Sequence, residues 1–143
     1  METHRPDPDF LACRRCVCST LRRASRAVTR HYERAFRGSG LRATQFTLLS
    51  VLTQTGPVAV SALAEHAGLE RTTLTRNLRL LEEKGLVSVR QTEGDQRVRR
   101  VELTRAGRSA AAKGLPAWRT AQAGVTPILR RYKLENLSAA TGG

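Results

Sequence analysis

The stretch between Val60 and Leu103 constrains the fold more than any other part of this chain. Ser61 is placed to cap a short helix running to about His66, with Leu63, Ala64 and Ala67 turned inward. Gly68-Leu69 predicts a tight turn. A second helix is expected from about Arg71 to Lys84, because Leu74, Leu78 and Leu81 recur at i, i+4 and i+7 and form one face. Gly85 is its stop signal. Leu86 to Arg90 then reads as a strand and Thr92 to Asp95 as a turn. Val98 to Leu103 reads as a second strand, with Val101 and Leu103 alternating against charged neighbours.

The flanks are helical. Phe10 to Phe36 contains neither Gly nor Pro. There Phe10, Val17, Leu21, Ala24, Val28, His31 and Ala35 fall within about 40° of one line on a helical wheel. That narrow stripe predicts one long helix, over 10–36, whose seam Val17, Leu21, Ala24 and Val28 meets a second chain, with His31 beside it. Thr44 is expected to cap a helix carrying Phe46, Leu49, Val51 and Leu52, which stops at Gly56-Pro57. Val58 to Val60 has room only for a short strand. After Leu103, Thr104 caps a last helical region with a weaker stripe of Ala111, Leu115, Trp118 and Val125. Pro116 is expected to kink it and Thr126-Pro127 to restart it. The organisation is a flexible arm (1–9), an N-terminal dimerisation helix (10–36), a central lobe (41–104), C-terminal helices (105–137) and a tail (138–143).

Charge narrows the function. The chain has 25 Lys and Arg against 12 Asp and Glu, a formal net charge of +13, which points to a polyanionic partner. No apolar run has the length of a membrane span, and aromatic residues are scarce for a membrane-surface helix. The N-terminus carries no apolar export signal, so a cytoplasmic location is expected.

The central lobe supplies the nucleic-acid site. Its order is that of a winged helix-turn-helix, mainly α with a two-stranded hairpin wing, whose second helix enters the major groove. With Leu74 inward, Thr72, Thr75, Arg76 and Arg79 point outward, and Arg71 and Thr73 lie near the helix start. Arginine pairs with guanine edges or phosphates, and threonine meets a thymine methyl or a phosphate. Ser61 belongs to the same set. On the wing, Arg90, Arg97 and Arg99 can reach the adjacent minor groove. Asp95, at the tip, either orients a neighbouring arginine or is an ordinary turn aspartate.

Leu63-Ala64 through Gly68, Arg71-Thr72-Thr73-Leu74-Thr75-Arg76, Leu81 to Val87, Asp95-Gln96-Arg97 and Leu103-Thr104-Arg105-Ala106-Gly107 together resemble the MarR family of regulators. The resemblance covers about Leu21 to Gln122. It implies a homodimer held by the first helix and by C-terminal dimerisation helices over 105–137, with Trp118 on the seam, recognition helices in successive major grooves of a near-palindromic operator on double-stranded DNA, and wings in minor grooves. It also implies repression relieved by a small-molecule effector or an oxidant. The region after Gln122 departs from the family's two-helix ending.

Cys13, Cys16 and Cys18 are the three cysteines. On one continuous helix they diverge, so they cannot share a metal, and Cys16 cannot pair with Cys18. Cys13 falls near the seam and has Arg14 beside it, which favours a reactive thiolate. Packing as small apolar residues, oxidant sensing and metal binding remain the three roles. Some relatives sense oxidants through a cysteine near the start of the first helix. His4, His31 and His66 show no metal spacing, and no cofactor is expected. Tyr32 and Trp118 either join the core or line an effector pocket. The reading is a sequence-specific DNA-binding repressor and not an enzyme. The alternatives are a non-specific or architectural nucleic-acid binder and a thiol oxidoreductase using Cys13 and Cys16, which lacks the βαβ context such a motif needs.

Overall fold

The computed structural model describes residues 3–137. Met1, Glu2 and the tail 138–143 lie outside the described residues, as do the side chains of Asp95 and Gln96. A 3-10 segment, Pro8–Arg15, precedes α1 (Val17–Ala35). Then follow α2 (Ala43–Thr55), β1 (Val58–Ala59), α3 (Val60–Ala67), α4 (Arg71–Glu83), β2 (Val87–Thr92), β3 (Asp95–Leu103), α5 (Arg105–Gly124) and α6 (Thr126–Arg131). The fold is mainly helical, and its hairpin is part of a three-stranded antiparallel sheet in the order β1-β3-β2. The short strand before α3 thus joins the wing, with Val58 opposite Val101.

The core forms around α2, which packs against α1, α3, α4, α5 and β3. Leu48 and Leu49 of α2, Leu63 of α3, Leu74 and Leu81 of α4, Val101 of β3 and Phe36 are all fully buried. Burying each leucine contributes about 1.5–3 kcal/mol. The i, i+4, i+7 leucines of α4 therefore fix which side of that helix remains outside.

Several expectations need correction. The helix expected over 10–36 divides at Cys16, whose backbone is extended (φ −61°, ψ 118°). The 3-10 segment before it buries no residue, so no buried side chain anchors it in line with α1. The expected seam also divides. Val17 is 71% and Leu21 51% exposed and Val28 is half-buried, but Ala24 is only 4% exposed, within this chain. His31 likewise turns inward, its Nε2 bonded to the Ala121 carbonyl at 2.8 Å. Helical period alone cannot distinguish these two kinds of burial.

Capping differs too. The N-cap of α2 is Arg42 and not Thr44, with Glu33 reaching over from α1 to accept the Ala43 N–H. The N-cap of α3 is Ala59, so Ser61 lies inside the helix, exposed. Pro116 does not interrupt α5, which runs unbroken to Gly124. It is exposed, where the one carbonyl it leaves unbonded can face water. Leu115 is exposed, and the inner side of α5 is made by Gly107, Ala111, Gly114 and Ala121 instead.

Candidate nucleic-acid interface

The second helix of the pair is set by its ends. Gly68 adopts the left-handed conformation (φ 63°, ψ 33°) that ends α3, and Leu69 N–H bonds back to the Ala64 carbonyl at 3.0 Å. Gly85, at φ 71°, ends α4. Between these stops, Arg71, Thr72, Thr75, Arg76 and Arg79 are exposed and Thr73 is half-buried. The Thr75 hydroxyl donates to the Arg71 carbonyl at 2.8 Å. Arg79 pairs with Glu83 through Nε at 3.2 Å, on a fully accessible surface where such a pair opens easily.

The wing register sorts the hairpin arginines. Val89 pairs with Val101, Arg90 with Arg100, and Gln91 with Arg99. Arg99 thus shares the Val101 side of the sheet, whereas Arg90 and Arg100 share the opposite side. Arg100 donates to the Pro57 carbonyl at 2.9 Å and fastens the wing to the segment before α3. A shift in register between Gln91 and Thr92 then brings Thr92 opposite Asp95.

A concave space of about 400 Å³ results between the start of α3, the start of α4 and β3. Ser61, Arg71, Thr75, Arg97 and Arg99 line it, together with Val98. Five of the ten residues expected to touch nucleic acid therefore meet at one hollow. Thr72, Arg76 and Arg79 continue outward from it along α4. Arg90 is not brought to the hollow and lines a separate recess with Pro57, Glu93, Arg100 and Glu102. Two residues escaped the sequence reading, Val98 on β3 and Leu80 on α4, both large, apolar and exposed. Their exposure is the only signal, and it needs the fold to be seen.

The description of the MarR family matches residues 41–98, the lobe that holds this hollow. M. tuberculosis MosR, a transcriptional regulator, is 45% identical in its complex with DNA; the match covers 88% of this chain and 96% of that one, with a TM-score of 0.69. A second MosR structure gives 43% identity, coverages of 89% and 96% and a TM-score of 0.70. This chain belongs to the MarR family. A probable transcriptional regulator from Pseudomonas aeruginosa shares the family fold at 25% identity, covering 91% of this chain and 95% of its own, with a TM-score of 0.69. No curated protein matches the chain by sequence.

After Gln122 the chain holds the end of α5 and the short α6, with Val125 and Leu129 buried. Among the described residues, no helix is long and apolar enough to cross a membrane, and no group of three or more His, Cys, Asp and Glu could hold a metal ion.

The thiols lie outside this hollow, in the 3-10 segment and at the start of α1. Cys13, Cys16 and Cys18 are all exposed. Cys13 belongs to the 3-10 segment, Cys16 to the break and Cys18 to α1, so a single helical wheel does not relate them. Cys16 is the N-cap of α1 without a full side-chain capping bond. The amide and hydroxyl of Ser19 polarise its thiol, with smaller help from the Cys18 amide and the Arg22 charge, and hold it below the ordinary thiol range. Arg22 also donates to the Cys18 sulfur at 3.3 Å.

Proposed function

We propose that this MarR-family protein is a homodimeric, sequence-specific DNA-binding repressor. The hollow that gathers Ser61, Arg71, Thr75, Arg97 and Arg99 beside the exposed face of α4 carries the reading. Threonine and arginine on α4 suit base edges and phosphates of the major groove, and Arg97 and Arg99 suit the flanking minor groove. The DNA complex of MosR, 45% identical, supports the same partner here. The apolar face of exposed Val17 and Leu21 with half-buried Val28 supports dimerisation through α1, and exposed Trp118 on α5 supports it as well. A two-fold dimer then calls for an operator with two half-sites about one DNA turn, ~34 Å, apart.

Release by oxidant is the regulatory reading, supported by the exposed, polarised Cys16 at the foot of α1. Oxidation there would alter the helix on which the dimer face lies. A small-molecule effector is a second reading. Tyr32, Trp118, Gln122, Val28, Val125 and Leu129 border a space of about 280 Å³, and the Tyr32 hydroxyl donates to Gln122 Oε1 beside it.

The deciding experiment uses an inverted repeat from the DNA next to the gene, with a scrambled duplex as control. Anisotropy should show binding at least a hundredfold tighter to the repeat, lost with peroxide and restored by dithiothreitol. Equal affinity for both duplexes would overturn the specific reading. Peroxide release that survives replacement of all three cysteines would overturn the thiol reading alone.

A further inference from the structure

We propose that the arginine face of α1 is a second DNA-binding surface, which seats the phosphate backbone of a duplex segment other than the one read by α4. This rests on the DNA-binding reading above and extends it from binding a site to bridging two segments.

Arg22, Arg26, Arg30 and Arg34 follow one another at i+4 along α1, with Arg23 beside them, and all five are exposed. The helix has one acidic residue, Glu33, and its carboxylate is engaged by Arg42 Nε and the Ala43 N–H. Among the described residues none of the five arginines has a carboxylate partner; Arg22 and Arg23 donate only to Cys18 Sγ and Thr20 Oγ1. Like charges at i, i+4 oppose helix formation, so this row works against the stability of α1. The recognition helix is less cationic, with three arginines against two glutamates.

The row has the form of a track for a regular polyanion. Each i+4 step advances about 6 Å, so the four guanidinium stems span about 18 Å. One strand of B-DNA presents about five phosphates over that length. The row includes no apolar side chain, whereas a protein interface needs an apolar centre. On the wheel the arginines lie roughly 170° from the Val17, Leu21 and Val28 face, so a dimer built on that face leaves them outward.

Position makes the ligand a separate segment. α1 packs on α2, α5 and α6, while α4 packs on α2, α3 and β2, so the two arginine-bearing helices are joined chiefly through α2. Duplex DNA has a persistence length of about 150 bp, so carrying one segment from α4 round to the arginine face of α1 would cost bending energy that a separate segment does not.

The test immobilises an operator duplex, saturates it with the full-length protein and adds a labelled 30-bp duplex of unrelated sequence. The wild type should retain the second duplex. The combined variant Arg26→Gln, Arg30→Gln, Arg34→Gln should retain at least tenfold less, with operator affinity within twofold and an unchanged helical dichroism signal. The salt slope of second-duplex retention should fall by about two to three. Retention by the variant equal to the wild type, or none by the wild type, overturns the proposal. Retention of polyglutamate without duplex also overturns it and assigns the face to an acidic protein. Loss of operator specificity appears in the first binding step and leaves the second step readable on any immobilised duplex.

Discussion

Gly107 lies against the carbonyl group of Leu86, so closely that a β-carbon at 107 would meet that backbone oxygen well inside contact distance. This contact explains the Leu103-Thr104-Arg105-Ala106-Gly107 motif. The Thr104 hydroxyl donates to the Gly85 carbonyl at 2.6 Å and accepts the Gly107 N–H at 3.0 Å. One threonine thereby caps α5 and ties it to the end of α4, and only glycine at 107 leaves room for the Leu86 carbonyl beside it. Gly107→Ala should lower unfolding free energy by about 3 kcal/mol, the upper range for an overpacked site, because backbone must move. Gly114→Ala meets the Phe46 ring instead, which can shift, and should cost about 1–2 kcal/mol. Urea melts of the two variants check the order; equal losses would place the strain elsewhere.

Glu33 joins α1 to α2 by serving two groups, the Arg42 guanidinium at 3.2 Å and the Ala43 N–H at 3.1 Å. Arg42 is well exposed, so that ion pair contributes little, while the bond to the helix N-terminus resembles a cap. Glu33→Ala should cost about 1–2 kcal/mol. Glu33→Gln keeps an acceptor for Ala43 and should cost less than half of that. A thermal melt in which Gln and Ala lose equally would show that charge, not capping, matters here.

Arg76, Arg97 and Arg90 should separate by position. Arg76→Ala is expected to cost about 1–3 kcal/mol on the operator and to relax sequence preference. Arg97→Ala should weaken binding to all duplexes and lower the salt slope by about one. Arg90, on the other side of the sheet, should matter least of the three. Anisotropy on operator and scrambled DNA at several salt concentrations measures all three. An Arg90 effect as large as that of Arg97 would contradict the placement of the wing.

Leu21, 51% exposed, and Ala24, 4% exposed, should respond differently although both belong to one sequence stripe. Leu21→Glu should shift the protein from dimer to monomer with its melting temperature at low concentration little changed. Ala24→Glu buries a charge inside the chain and should unfold it instead. Sedimentation and melting on both variants decide, and a dimeric Leu21→Glu protein would move the interface off this face.

The parts legible in the sequence were those set by local period and punctuation. Leu74, Leu78 and Leu81 are buried as spaced, and Gly68 and Gly85 end their helices as expected. Three features were not legible. The break at Cys16 follows no Gly or Pro; the residues before it bury nothing, and the first buried residue of α1 is Ala24, so no core packing enforces continuity there. The partition of the α1 stripe required knowing that Ala24 and Ala27 turn inward. The side of the wing on which Arg90 falls required the strand register, which spacing alone leaves open.

That break has a chemical consequence. On a continuous helix Cys13 is the sensor of choice, because it falls near the seam. In the fold Cys16 takes the N-terminal cap of α1, where Ser19 and then Arg22 favour the thiolate over the thiol. Deprotonation creates the charged form, so these interactions lower the thiol pKa, and the thiolate fraction at neutral pH rises. Alkylation of Cys16 by iodoacetamide, followed site by site with mass spectrometry, should therefore titrate with a midpoint below the value of about 8.5 for a free thiol. Ser19→Ala should move the midpoint upward and slow the reaction at pH 7; Arg22→Gln should do so to a smaller degree. The same variants should need more peroxide to release DNA. Ser19→Ala removes only the hydroxyl and keeps the amide, the larger of the two contributions, so its shift should be partial. If Cys13 reacts faster than Cys16, or if Cys16 in the wild type titrates no lower than a free thiol, the cap does not activate the thiol, and sensing, where observed, belongs to another cysteine.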